Sequence, residues 1–428
     1  MYSIAADLPI QSGGTLSVGW SKYAFKFAEY YNNRAIEDMW IPPRLRTREW
    51  MFIGFDDRPP ERHRGFRKPR DLMAHVVRKI PSNCFYSTAY YNDPNQRKMK
   101  DKGLQGADLI FDLDGDHLPG VTDGDFPAMI QVIQEQAHQL WYDFLEPEFG
   151  FKEEYLQVTF SGHRGFHLHY RSPDIWQLDS PARREIVSHI RGEGVDIGVL
   201  LNGPDCAWKR RVVSGVDSVI SKLDDAHQDN IDGKKALQQL KEIVDSRIGM
   251  PGYVGPKRCG TDMLKAVAER VQDTSRRKRL IESFQKDGTV TQLGGPKGGS
   301  QYDNVFTELV KGDNSIVLGK AGETDEVVTI DLKRVIRWPT SLHGKSGMKV
   351  VELPLSRLDP NQKNSFDPLN EAIPWKKSSR MEKVRAIRSD VVYRIRESHG
   401  VLSEGEIYDV DEATATFLVL KKWAEPVN

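Results

Sequence analysis

The chain has 428 residues and 48.7 kDa, with 61 Lys+Arg against 61 Asp+Glu, 39% hydrophobic and 9% aromatic residues and a mean hydropathy of -0.55. This is a soluble, globular composition of two or three domain-sized units at roughly 100–200 residues each, and it excludes a disordered, collagen-like or coiled-coil chain. No stretch approaches the roughly 18 apolar residues that span a bilayer, no leader-like start precedes Ser17, and Cys84, Cys206 and Cys259 give neither a disulfide framework nor a CxxC zinc site.

In chain order, residues 1–18 read as a loose Gly/Ser-rich end. Tyr23, Phe27, Tyr30 and Tyr31 predict an amphipathic helix over Trp20 to Tyr31. Short strands are expected at Trp50 to Phe55, Asn83 to Tyr91, Asp108 to Asp114, Tyr155 to Phe160 and Phe166 to Tyr170, with a helix at about Phe126 to Phe144 between them. From 172 to 293 the pattern is mainly helical, with segments opening at Ser180-Pro181, covering Ala236 to Val244 and running from Thr261 to Phe284. Gly294 to Gly299 is the linker candidate. Strands return at Asp325 to Ile330 and Met348 to Leu353, and a helix is expected near Met381 to Ser398. The domain expectation is therefore a first core part over 19–171, a helical unit over 172–293 and a second core part over 294–428. Charge is uneven: Arg44 to Arg70 holds nine Lys/Arg against four acids, and smaller basic clusters sit at Lys209 to Arg211 and Arg276 to Arg279. Each is either a phosphate-facing surface or a solvated face.

Three strings carry chemistry. In Asp108-Leu-Ile-Phe-Asp112-Leu-Asp114-Gly115 the strand period of two puts Asp112 and Asp114 on one face at the end of an apolar run. Like charges so placed repel, and hard Mg²⁺ or Mn²⁺ ions relieve that repulsion. The same string resembles the first motif of haloacid-dehalogenase-type phosphatases, although Asp116 stands where that family usually has Thr or Ser. In Ser161-Gly-His163-Arg164-Gly-Phe-His167-Leu-His169 two glycines flank a His-Arg turn suited to a phosphate. The third string, Asp325-Glu-Val-Val-Thr-Ile-Asp331 through Arg334 and Arg337 to Ser341-Leu-His343-Gly-Lys345, lacks the spacing of a Walker loop.

Together these strings resemble the small catalytic subunit of archaeal and eukaryotic DNA primases. Weaker echoes are Arg48-Glu49-Trp50-Met51-Phe52, the pair Asp116-His117, and Tyr90-Tyr91 ahead of Gly103 to Asp108. The resemblance implies an α+β fold: a primase, RRM-like catalytic core with a mainly helical inserted or appended domain. It implies a metal-binding triad of Asp112, Asp114 and Asp325, with Asp331 as an alternative third carboxylate. Ser161, His163, Arg164, His167, Arg337, His343 and Lys345 fall on nucleotide-binding positions. It further implies two Mg²⁺ or Mn²⁺ ions, nucleoside triphosphates, a single-stranded DNA template, a large-subunit partner in a heterodimer and a cytoplasmic, nucleoid-associated or nuclear setting, with no membrane. The expected activity is DNA-directed primer synthesis by two-metal nucleotidyl transfer, with a primase-related repair or end-joining polymerase and the phosphatase as alternatives. Many members carry a Cys/His zinc knuckle after the carboxylate strand. Residues 115–160 contain no Cys, so no structural zinc is expected.

Overall fold

The structure is a computed structural model describing residues 18–56, 58–115, 124–191, 200, 204–228, 230–250, 253–287, 290, 293, 301–312 and 326–427. The loose end, the Gly294 to Gly299 linker, Asp116-His117 and Asp325 lie outside the described residues. Helix α1 (Val18–Asn32) buries Tyr23, Phe27 and Tyr31 as its spacing requires. Strands β1 (Trp50–Ile53), β2 (Glu61–Arg64), β3 (Asn83–Ser87) and β9 (Val335–Arg337) form one sheet in the order β2-β1-β3-β9, covered by α1 and α2 (Pro69–Lys79). A second sheet, in the order β10-β7-β8-β6, holds β6 (Leu109–Asp114), β7 (Leu156–Phe160), β8 (Gly165–Tyr170) and β10 (Val351–Leu353). Its apolar face packs on α3 (Phe126–Leu140) through Phe111, Leu113, Met129 and Ile133. The strand alternation predicted for β6 thus separates a core face from a functional face. A short ribbon of β4 (Ala89–Tyr91) and β5 (Leu104–Ala107) precedes β6.

Helix α4 (Ser180–Ile190) begins at an Asp179 N-cap whose carboxylate accepts from Ala182 N–H. Beyond it, helices Ala207–Ala226, Ile231–Arg247, Thr261–Val271, Thr274–Asp287 and Gln301–Gly312 form a bundle. Trp208 of this bundle packs on Phe144, with ring centroids 5.6 Å apart, so the bundle and the α3 side of the catalytic sheet share one core.

Two expectations of secondary structure fail, each in its own tertiary setting. The β-branched run Asp325 to Ile330 reads as a strand, yet Glu326–Ile330 is a short helix, and Thr329 donates its hydroxyl to Ile110 O at 2.8 Å and pins the segment to β6 side-on. The helix expected near Met381 to Ser398 is instead β11 (Met381–Ala386), β12 (Val391–Ile395) and the start of β13 (Ser398–Leu402). Val391, Tyr393 and Ile395 are buried in strict alternation, a period of two, and Asp390 turns the chain with φ 59°. Strand β11 pairs with β14 (Ile407–Asp411) and β15 (Ala424–Pro426), and the apolar helix Glu412–Leu420 fills the space behind them.

Of the nine Lys/Arg between Arg44 and Arg70, Arg48 alone is buried and the other eight are exposed. Arg48 is fully buried, pairing with Asp108 at 2.8 Å and donating to the Ser87 and Thr88 carbonyls. Arg62 meets buried Glu49 at 3.1 Å, and Arg44 lies 3.5 Å from the Trp176 ring centroid. The Arg-Glu-Trp echo is therefore a structural joint between sheets: Asp108 also accepts from Arg171 and from the Tyr90 hydroxyl, which fixes the start of the carboxylate strand. Among the described residues no helix is long and apolar enough to cross a membrane.

Candidate active site

Strand β8 lies between β6 and β7, and its register places Asp112 opposite His167 and Thr159 opposite His167 on the other side. These three side chains share the face away from α3. His167 Nε2 stands 3.2 Å from Asp112 Oδ1, while Thr159 Oγ1 lies 3.4 Å from His167 Nδ1 and 3.1 Å from His169 Nε2. One residue pair further along, Arg164 Nε donates to Asp114 Oδ1 at 3.0 Å. Asp114 keeps 45% of its side chain exposed at the strand end, yet protein walls surround it. Loss of bulk solvation raises its carboxyl above the ordinary value; Asp112 pushes the same way and Arg164 opposes.

The β7–β8 turn is built as its glycines suggest. Gly162 has φ +81°, and the Ser161 hydroxyl accepts from Gly165 N–H at 3.1 Å, closing the turn. The turn leans on the segment from Ser341 to Met348: the Ser346 hydroxyl donates to Gly162 O at 2.5 Å, and a Cβ on Gly162 would sit 3.0 Å from His343 Cβ. The Gly-Lys-Ser turn is thus a clasp on the His-Arg turn.

Between β3 and β9 on one side and β6 with the β7–β8 turn on the other lies a cavity of about 290 Å³, lined by Asp112, Asp114, Ser161, His163, Arg164, His167, Arg337, His343 and Lys345. Every described member of the predicted site is on its wall. Asp331 is not: its carboxylate accepts from Lys333 N–H and closes its own loop. His169 points into the same sheet face but is fully buried beneath Thr159.

Arg337 donates to Asn83 Oδ1 at 2.7 Å and covers the Phe85 ring at 4.9 Å. Burial pulls its pKa down to about 10, against the pull of Asp112 and Asp114, so it stays cationic at neutral pH. His163 and His343 stack with centroids 4.8 Å apart, and burial, then neighbouring cations, hold both well below the ordinary imidazole value. The wall therefore offers two carboxylates, the cations Arg164, Arg334, Arg337 and Lys345, and three imidazoles, of which burial keeps His163 and His343 neutral.

Sequence reasoning missed Asn83, Phe85, Val328 and Arg334. Asn83 ties two site segments, since its Oδ1 also accepts from Gly344 N–H at 3.1 Å. Its only signal is β3–β9 pairing, which a linear reading does not show.

A family profile described as DNA primase small subunit matches residues 111–354, from the carboxylate strand to the end of β10. The chain belongs to the DNA primase small-subunit family. Three curated relatives carry the name DNA primase small subunit PriS. That of Methanococcoides burtonii is 32% identical over 404 residues, covering 94% of this chain and 96% of the relative. That of Methanosarcina barkeri is 32% identical, with 94% and 95% covered, and that of Methanothrix thermoacetophila is 32% identical, with 94% and 97% covered. The polymerase domain of Mycobacterium tuberculosis ligase D in complex with DNA overlays 83% of this chain and 91% of its own length at 10% identity and a TM-score of 0.31, too distant to bear on the site. As a small primase subunit the chain is a nucleotidyltransferase with the catalytic role of its family, and the phosphatase reading of Asp112-Leu-Asp114 is set aside.

Primases of this family generally use divalent metal ions. Among the described residues no three or more His, Cys, Asp or Glu side chains form a metal-holding group. Asp112 and Asp114 supply two hard oxygen donors in a shared cavity, where burial first and Asp112 second disfavour the charge on Asp114. That donor chemistry fits Mg²⁺ or Mn²⁺. The helix Glu326–Ile330, which follows Asp325 directly, reaches the cavity through Val328.

Proposed function

We propose that this cavity extends a primer strand by nucleotidyl transfer, making short RNA primers on single-stranded DNA with a large subunit as partner. The observation that supports it best is the Asp112–His167 pair in a cavity shared with Arg164, Arg337, His343 and Lys345. The carboxylates share one wall with Arg164 and His167, while Arg337 faces them from β9, an arrangement that suits a triphosphate lying between β6 and β9.

Asp112, Asp114 and Asp325 are the residues to hold two Mg²⁺ or Mn²⁺ ions, whose chemistry there is to lower the pKa of an attacking 3′-hydroxyl and neutralise a departing pyrophosphate. His167 orients Asp112 from the second strand, as a ring nitrogen behind a ligating carboxylate does. Arg164 presents a planar guanidinium that donates to Asp114 Oδ1 through Nε. Arg337, fixed by Asn83 on a buried floor, meets negative charge where water is largely excluded, which makes its attraction stronger than at the surface. Lys345 stands exposed at the rim as a point charge. The Ser161 hydroxyl and Gly162 keep the backbone of the turn close to any phosphate. Template contact falls to the strand's phosphates, without base readout.

The test is nucleotide incorporation by the purified chain with Mg²⁺ or Mn²⁺, on unprimed and primed single-stranded templates, with and without a large subunit. Products that vanish in Asp112→Ala support the reading. Product levels above a few per cent in that variant, or none from the wild type with a large subunit present, would sink it.

A further inference from the structure

The C-terminal module touches the wall of the nucleotide cavity through Lys421, which contacts His163. The buried helix Glu412–Leu420 leaves this module and enters the α1–β3 core, where Leu420 packs. Its C-cap is Lys421. Lys421 Nζ lies 4.4 Å from the Phe126 ring centroid and 4.5 Å from that of Trp423. A cation at a helix C-terminus between two aromatic faces is stabilised by the dipole and by the rings, and those contacts account for an anchoring role. They do not account for its third contact: Lys421 Nζ donates to His163 Nε2 at 2.9 Å, across the chain from the C-terminal module to the β7–β8 turn.

That bond carries information about protons. An ammonium only donates, so His163 accepts at Nε2 and holds its own proton on Nδ1. The stacked His343 is fixed in the opposite sense, because Lys345 backbone N–H donates to His343 Nδ1 at 3.1 Å and leaves the proton on Nε2. Both rings line the cavity.

We propose that Lys421 is a positioning residue for the triphosphate site: its ammonium holds His163 in the Nδ1–H tautomer and stacked on His343, so that both rings meet the triphosphate with their donors already assigned. The proposal rests on the nucleotide-binding reading of the cavity. It gives residues 354–428 a task in catalysis, since an imidazole free to exchange tautomers and tilt loses part of its time in states that cannot donate. Burial first, and then the charges of Lys421, Arg337 and Lys345, hold His163 and His343 well below the ordinary imidazole value.

Two measurements test it. The ¹⁵N-imidazole spectrum of the wild-type chain should show His163 protonated at Nδ1 alone; protonation at Nε2 would overturn the proposal whatever any variant does. Titration with ATP and Mg²⁺ should show Kd raised roughly tenfold or more in Lys421→Met, which keeps the aliphatic stem between the rings, with most of the loss recovered in Lys421→Arg. In a His163→Ala background the same Lys421→Met change should add less than about twofold, because the two residues act as a unit. A Lys421→Met chain that binds as the wild type does, with only its Tm lowered, reduces Lys421 to an anchor and overturns the assignment. So does a loss of the same size without His163. A wild type that binds ATP but incorporates nothing fails the polymerase reading and leaves the Lys421 comparison standing.

Discussion

Asp112 and His167 face each other across β6 and β8, with His167 Nε2 3.2 Å from Asp112 Oδ1 and Thr159 behind the ring at 3.4 Å. Asp112 is thereby held by a side chain of the neighbouring strand, which Thr159 of β7 backs in turn. Removing the ring should loosen the carboxylate without unfolding the sheet. His167→Ala is expected to raise the half-maximal Mn²⁺ concentration for incorporation by roughly 10–100-fold. An unchanged metal requirement would show that His167 does not orient Asp112.

Arg48 and Asp108 form a fully buried pair, and Arg48 also satisfies the Ser87 and Thr88 carbonyls. Arg48→Met leaves the buried Asp108 carboxylate with Arg171 and Tyr90 and takes a donor from the Ser87 and Thr88 carbonyls. The expected loss is about 3–5 kcal/mol in urea unfolding. Arg48→Met with Asp108→Leu should recover part of it, and a double variant no better than the single one would place the cost elsewhere, since Arg171 also contacts Asp108.

Gly162→Ala forces an L residue into the left-handed region and sets its Cβ about 3.0 Å from His343 Cβ. Backbone strain of about 1–2 kcal/mol is expected. More telling, His343 must yield, so the nucleotide KM should rise several-fold while stability falls modestly. A KM equal to the wild type's would mean that the turn does not set the position of His343.

His163, His169 and His343 are all buried, and burial holds each imidazole well below its ordinary value. For such groups the unfolded chain binds more protons than the fold near and below the unfolded pKa of about 6.5. Their stabilisation is present above that pH and is lost as pH falls, opposite to a histidine paired with a carboxylate. Urea midpoints should drop between pH 7.5 and 5, and His169→Gln should flatten the slope. A midpoint that rises on acidification would contradict the buried, neutral state of these rings.

The two carboxylates and the His-Arg turn were legible because period-two alternation and flanking glycines are local properties: Asp112 and Asp114 had to share a face, and Gly162 had to permit a tight turn. The Arg44 to Arg70 run shows the limit of the same method. Its positive charge was countable, but the burial of Arg48 against Asp108, about sixty positions away, was not. The run Asp325 to Ile330 has β-branched residues in a strand-like order, yet Glu326–Ile330 is helical and Thr329 bonds side-on to Ile110 of β6. Near Met381 the charged residues between apolar ones fit either period until pairing with β14 selected the strand.

The sequence by itself determined the family, the carboxylate pair and the order of the phosphate-binding strings, because these depend on residue type and short spacing. Folding in three dimensions decides that Asp331 stays off the cavity wall, that Phe85 joins it, that Asn83 holds Arg337 there, and that Lys421 touches His163 from 258 positions away. Such contacts come from strands pairing across the chain and from a helix end meeting a distant turn, and no local periodicity records where separate segments of a chain will meet.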